Sequence, residues 1–201
     1  FTAASETFNQ RNVGMSIDES ISAFSRIVRT AHEHKIRVRG YLSTAFFCPF
    51  EGRIDASKAA IRSRQLLDLG IDELSVGDTI GMAGPFHVAE LTEALLASIP
   101  LAKIAYHFHD TRGLAAANVL MALQYGIQTF DSSAGGTGGC PFAPGAAGNI
   151  ATEDLLGLLI SLGIETGVNV KRVMDGSLYL EAVLGKYLSS KYLQAECGIA
   201  E

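Results

Sequence analysis

The run Ala105-Tyr106-His107-Phe108-His109-Asp110-Thr111 places two histidines one residue apart at the end of an apolar stretch. A strand alternates its faces with period two, so His107 and His109 would point to one side and Phe108 to the other. Two imidazoles on one face of a strand end are close enough to grip a single ion. The alternative is a half-buried strand that carries two ordinary polar residues, and this stretch by itself leaves both open.

A second group of residues follows about thirty positions later. Gly135-Gly136-Thr137-Gly138-Gly139-Cys140-Pro141-Phe142-Ala143-Pro144-Gly145-Ala146-Ala147-Gly148-Asn149 is too rich in glycine for regular structure and allows a ligand close to the backbone. It has neither the Gly-Lys-Ser/Thr of a phosphate loop nor the dinucleotide spacing. A mobile surface turn is the plain reading. The thiol of Cys140 adds a chemical one, since a cysteine on such a loop can act as nucleophile or proton donor. Cys48, in Phe46-Phe47-Cys48-Pro49, sits in an apolar run and reads as buried and inert. The side-chain oxygen of Asn149 can cap the helix that follows or ligate a hard cation. Two imidazole nitrogens and an amide oxygen suit Mg²⁺ or Mn²⁺, completed by a carboxylate and substrate oxygens. Structural zinc would need more Cys and His at short spacing.

These residues need elements to hold them. Ser16-Ile17-Asp18-Glu19 has the capping-box pattern, and an amphipathic helix follows to about His34. Strands are expected at Val38–Thr44, Leu74–Val76, Ala102–Phe108 and Ile127–Asp131. Helices are expected at Asp55–Leu69, from Pro85 to about Ser98, at Leu114–Gln124 and over Thr152–Leu162. A last helical stretch, Val170–Leu188, carries Gly176 as a possible break. Strands alternating with helices mean a parallel sheet with covering helices. Each strand ends in polar or glycine residues: Tyr41 and Ser43, Gly77-Asp78-Thr79, the two histidines, and Asp131-Ser132-Ser133. In parallel α/β folds, chemistry gathers at those ends. A doubly wound sheet could be complete in 201 residues, whereas a (β/α)8 barrel needs about 250. The chain opens Phe1-Thr2-Ala3-Ala4-Ser5-Glu6, without an initiator Met, like the tail of an element. That start favours the second half of a barrel and a fragment of a longer protein.

Composition excludes several classes. Hydrophobic residues make up 48% of the chain, enough for a sizeable core. The net charge of −5 argues against nucleic acid or an anionic membrane as partner. No apolar run is long enough to span a bilayer. Cys48, Cys140 and Cys197 are odd in number and far apart, which is no disulfide framework and points to a reducing compartment.

His107-Phe108-His109-Asp110-Thr111, Gly138-Gly139-Cys140-Pro141-Phe142 and Ala147-Gly148-Asn149-Ile150-Ala151-Thr152-Glu153-Asp154, in this order, resemble the 3-hydroxy-3-methylglutaryl-CoA lyase family. Arg39-Gly40-Tyr41-Leu42-Ser43, Pro49-Phe50-Glu51-Gly52 and Gly77-Asp78-Thr79-Ile80-Gly81 extend the resemblance over essentially the whole chain. The histidine strand is shared with a wider group of metal-dependent aldolases and acyl-CoA condensing synthases; the Gly-Gly-Cys-Pro loop is the specific part. The resemblance implies a TIM barrel whose divalent cation is held by two His, an Asn and an Asp. His107, His109 and Asn149 match the first three. The Asp, beside a catalytic Arg, belongs to a first strand that this chain lacks, and strands five to eight are what it supplies. The implied reaction is retro-Claisen cleavage of the hydroxymethylglutaryl thioester to acetyl-CoA and acetoacetate, in leucine catabolism and ketone-body formation. Cys140 is the implied proton donor, and His107 also touches the proton transfers. Asp78 is an acid–base or supporting candidate, with a capped turn as the alternative. Tyr41 and Ser75 are candidate contacts to the acyl group, with barrel packing as the alternative. An acyl-CoA substrate, a homodimer when complete, and a bacterial cytosol or mitochondrial matrix location complete these expectations. The isolated chain is expected to be inactive, and a non-catalytic half-barrel is the rival reading from another class.

Overall fold

The computed structural model describes residues 1–139 and 148–198. Strand β1 (Thr2–Ala3) runs into Ser5, whose hydroxyl accepts from the Phe8 amide and starts helix α1 (Glu6–Val13). Little on α1 is apolar. It is anchored instead by fully buried Asn9, whose Oδ1 accepts from Ala3 N and Thr2 Oγ1 while its Nδ2 donates to Met15 O. Ser16 and Glu19 form the expected capping box of α2 (Ile17–Glu33). Strand β2 (Arg39–Ser43) follows, then a small antiparallel hairpin of β3 (Phe47–Cys48) and β4 (Gly52–Arg53). Asp55 caps α3 (Ala56–Asp68), and β5 (Glu73–Asp78), α4 (Pro85–Leu96), β6 (Ile104–Phe108), α5 (Ala115–Gln124) and β7 (Thr129–Asp131) continue the alternation. The chain closes with α6 (Thr152–Ser161), α7 (Val170–Leu184) and α8 (Lys191–Gly198).

The strands of the main sheet lie in the order β1-β2-β5-β6-β7, and every pairing is parallel. A doubly wound sheet reverses its strand order at a switch point. Here each new strand is laid beside the last without reversal, which is how the wall of a barrel grows. The helices pack in the same succession, α3 on α4, α4 on α5 and α5 on α6.

Register sorts the residues onto two faces. Leu42, Leu74, Val76, Tyr106 and Phe108 face the helices and join Val88, Leu91, Leu95 and Val119 in one buried core. The other parity pairs Tyr41 with Ser75, Gly77 with His107, and His107 with Asp131, so these residues share the face away from the helices.

Helix α1 has no counterpart among the expected elements, while α8 falls inside the helical extension expected over residues 170–201, beyond the stretch expected to end at Leu188. Helix α7 runs unbroken through Gly176, because an exposed mid-helix glycine costs only about 1 kcal/mol and the helix stops where Gly185 takes a left-handed conformation.

Candidate active site

Strand β6 delivers His107 and His109 to the same side, as period two requires, while Phe108 is buried in the core. The two imidazole centroids are 5.2 Å apart. Both rings line a cavity of about 490 Å³ with Tyr41 and Ser43 of β2, Gly77 of β5, Thr79, and Phe8 and Asn12 of α1.

Asn149 reaches this place through the backbone. The segment after the glycine loop returns alongside the end of β6: Asp110 N donates to Gly148 O, Ile150 N donates to Phe108 O, and His109 and Asn149 form an antiparallel bridge. Glycine is needed for that approach. Gly138 has φ +109°, and a Cβ there would lie 2.6 Å from Asn149 Nδ2, while a Cβ on Gly148 would run into the Gly138 carbonyl. Asn149 does not cap α6, whose N-cap is Ala151. Its Nδ2 donates to Thr137 O, and its Oδ1 is buried with no hydrogen-bond partner. His109 Nδ1 is likewise buried and unpartnered. Burial first, then the neighbouring His107, lower the His109 pKa to about 4. An acceptor oxygen and an imidazole nitrogen left unpaired at bridged positions match what a cation requires. Among the described residues no group of three His, Cys, Asp or Glu is placed to hold an ion.

Beneath His107 lies a charged cluster that sequence reading missed. Asp131 accepts from Arg39 Nη1 at 2.5 Å, Ser75 Oγ at 2.8 Å and His107 Nδ1 at 3.3 Å. Burial pushes its carboxyl upward, but those donors outweigh it and hold the group below the usual range. Arg39 also pairs through Nε with Glu73 at 2.5 Å, and its Nη1 donates to the Tyr41 hydroxyl at 3.0 Å. The signal was available in parity: Arg39, Ser75, His107 and Asp131 share one face once register is known.

Other expected site residues fall in different places. Tyr41 is at the cavity, edge-on to His107 with centroids 6.4 Å apart. Ser75 does not line the cavity, because its hydroxyl is engaged by Asp131. Asp78 ends β5 with the helix-side parity, and its carboxylate accepts from Met82 N and Ala83 N, each at 3.1 Å. This is the capped-turn alternative: the carboxylate fixes the turn beyond Thr79 and is not aimed into the cavity. Arg112 holds the same turn by donating to Ile80 O and Gly81 O. Cys48 is buried, and its thiol donates to Ser5 Oγ at 3.0 Å, as an inert cysteine should. Cys140 lies outside the described residues. The base of its loop is held by fully buried Glu153, which accepts from Gly135 N and Ser177 Oγ.

Asp78 carries a pH signature. Burial raises its pKa from 3.8 to about 6 against the pull of its backbone donors. Between pH 4 and 6 the folded chain keeps a proton that the unfolded chain has lost, so stability falls as pH rises through this window and levels off above it. The contribution is on the order of 3 kcal/mol. The carboxyl carbon resonance of Asp78 in the folded chain is expected to titrate with a midpoint near 6; a midpoint near 4 would contradict the burial argument.

A family model described as HMGL-like matches residues 1–178. The mitochondrial hydroxymethylglutaryl-CoA lyase of Homo sapiens is 45% identical over 197 residues, 98% of this chain and 61% of that protein. The crystal structure of hydroxymethylglutaryl-CoA lyase from Pseudomonas aeruginosa matches with a TM-score of 0.96 at 43% identity, over 98% of this chain and 66% of that one. An HMG-CoA lyase from Acinetobacter baumannii, in complex with coenzyme A and 3-methylmalate, matches with a TM-score of 0.90 at 39% identity, over 96% of this chain and 63% of that one. The chain therefore spans less than two thirds of the length of these relatives, and its open sheet is part of a TIM barrel. Among the described residues no helix is long and apolar enough to cross a membrane.

Proposed function

Because this chain belongs to the HMGL-like family, we propose that it carries the larger part of a carbon–carbon lyase site that cleaves 3-hydroxy-3-methylglutaryl-CoA to acetyl-CoA and acetoacetate. The observation that carries this reading is the pair His107 and His109 on one cavity with Asn149 bridged to His109 through the backbone, where Asn149 Oδ1 and His109 Nδ1 are buried without hydrogen-bond partners. These three residues would hold a hard divalent cation, Mg²⁺ or Mn²⁺, with a carboxylate from outside this chain. When bound, that cation supplies Lewis acidity toward the substrate's tertiary hydroxyl and carboxylate.

The chain's own residues do the rest. Tyr41 and the neutral rim formed with Ser43 and Thr79 contact the acyl group. The tertiary hydroxyl gives its proton to a general base in the part of the barrel outside this chain, its C–O bond becomes a carbonyl as the carbon–carbon bond breaks, and the electron pair of that bond passes to the thioester as an enolate. Acetoacetate leaves, and the enolate carbon takes a proton from Cys140 to give acetyl-CoA. Asp78 acts by fixing the turn that follows Thr79, and Ser75 by supporting Asp131. In this reading residues 1–201 are the C-terminal portion of one catalytic domain, with 170–201 a helical extension. The complete enzyme is a homodimer of the bacterial cytosol or the mitochondrial matrix.

The test uses a complete protein, built to the full length of the relatives and carrying this chain. Given the hydroxymethylglutaryl thioester, it should release acetoacetate and acetyl-CoA in equal amounts. Condensation products formed in place of cleavage would identify a synthase on the same barrel. Alkylation of that protein should mark Cys140 with loss of activity that substrate slows, and should leave Cys48 untouched. Full activity in a Cys140→Ala variant would remove the proton-donor role.

A further inference from the structure

We infer that Asp131 is a positioning residue, which locks His107 as the Nδ1-protonated tautomer and leaves the Nε2 lone pair for the cavity. The inference rests on the lyase reading only in naming Nε2 as the ligating atom.

The donors around the Asp131 carboxylate fix where the imidazole proton sits. Asp131 Oδ1 takes Arg39 Nη1, and Oδ2 takes both Ser75 Oγ and His107 Nδ1. Arg39 is an obligate donor. A carboxylate met from one side by a guanidinium and from another by a hydroxyl has no proton to give, so the imidazole nitrogen facing it must carry one. The strands enforce the meeting, since His107 and Asp131 are directly paired in the β6–β7 register. Tyr41, at 81° to the imidazole plane, supports the ring from the β2 side. His109 has no comparable side-chain partner, as its Nδ1 is unpaired. Of the two histidines, only His107 is fixed by a carboxylate.

Asp131→Asn tests this because the two side chains differ in donors and hardly in shape. The amide has one acceptor oxygen, which Arg39 claims, so its NH₂ turns toward Ser75 and His107. The serine hydroxyl can reverse. The imidazole can accept only by moving its proton to Nε2, which removes the lone pair from the cavity. Ser75→Ala is the control: it takes a donor from the same carboxylate and offers nothing to His107.

The measurement is the ¹⁵N spectrum of the His107 ring in the metal-free complete protein at pH 8, with Mn²⁺ affinity by titration. Wild type and Ser75→Ala are expected to show protonated Nδ1. Asp131→Asn is expected to show protonated Nε2 and to bind Mn²⁺ about 10–100-fold more weakly. Protonated Nε2 in the wild type, or the same tautomer in wild type and Asp131→Asn, would overturn the inference. A tautomer switch in a protein whose wild type binds no Mn²⁺ would support Asp131's role and count against the lyase reading.

Discussion

His109→Ala in the complete protein is expected to lower kcat/KM for thioester cleavage by roughly 10³-fold or more. A divalent Lewis acid stabilises developing charge by several kcal/mol, and each 1.36 kcal/mol is a factor of ten. In the proposed site His109 is one of three donors, and its Nδ1 is buried beside Asn149 without a hydrogen-bond partner. The variant should also bind Mn²⁺ far more weakly. Its folding should suffer much less, because the lost ring makes no hydrogen bond through Nδ1 and the strand is secured by Tyr106 and Phe108 in the core. Turnover near wild type in folded variant protein would show that His109 is an ordinary half-buried histidine.

The second large effect concerns the 201-residue chain made alone. It should release no measurable acetoacetate in Mg²⁺ or Mn²⁺, beside an active complete protein. Three neutral donors are a poor site for a hard cation, which relies on carboxylate oxygen. The sheet also ends in β1 and β7, whose outer edges have no neighbour among the described residues. Open edges favour self-pairing, so the chain should tend to associate. Comparable turnover by the two proteins would mean that the site is whole without a further carboxylate.

Strand parity made the histidines legible: one apolar residue between two imidazoles was enough to put both on one face and Phe108 in the core. The alternation of strands and helices likewise gave the parallel sheet. Elements held by remote polar contacts were not legible. Helix α1 has almost no apolar stripe and depends on buried Asn9, which a hydropathy pattern scores as solvent-facing. Helix α8 starts where Asp154, far back on α6, accepts from Ser190 Oγ and Tyr192 N. Asp131 was visible as a polar strand end, but its grip on Arg39, Ser75 and His107 exists only after four strands are in register. For Asp78 the sequence leaves a direct and a turn-fixing role open, and the structure shows its carboxylate accepting from Met82 N and Ala83 N. Asn149 lost its helix-capping alternative because α6 starts two residues later than such a cap would require.

The central claim is that His107 and His109 hold one cation. Pulsed electron paramagnetic resonance of Mn²⁺ in the complete protein, with histidine nitrogens labelled with ¹⁵N, reads this directly. The expected result is coupling of the ion to imidazole nitrogen from two histidines, with one coupling lost in His107→Ala and the other in His109→Ala. A Mn²⁺ signal without imidazole coupling, or one that neither substitution alters, would contradict the account.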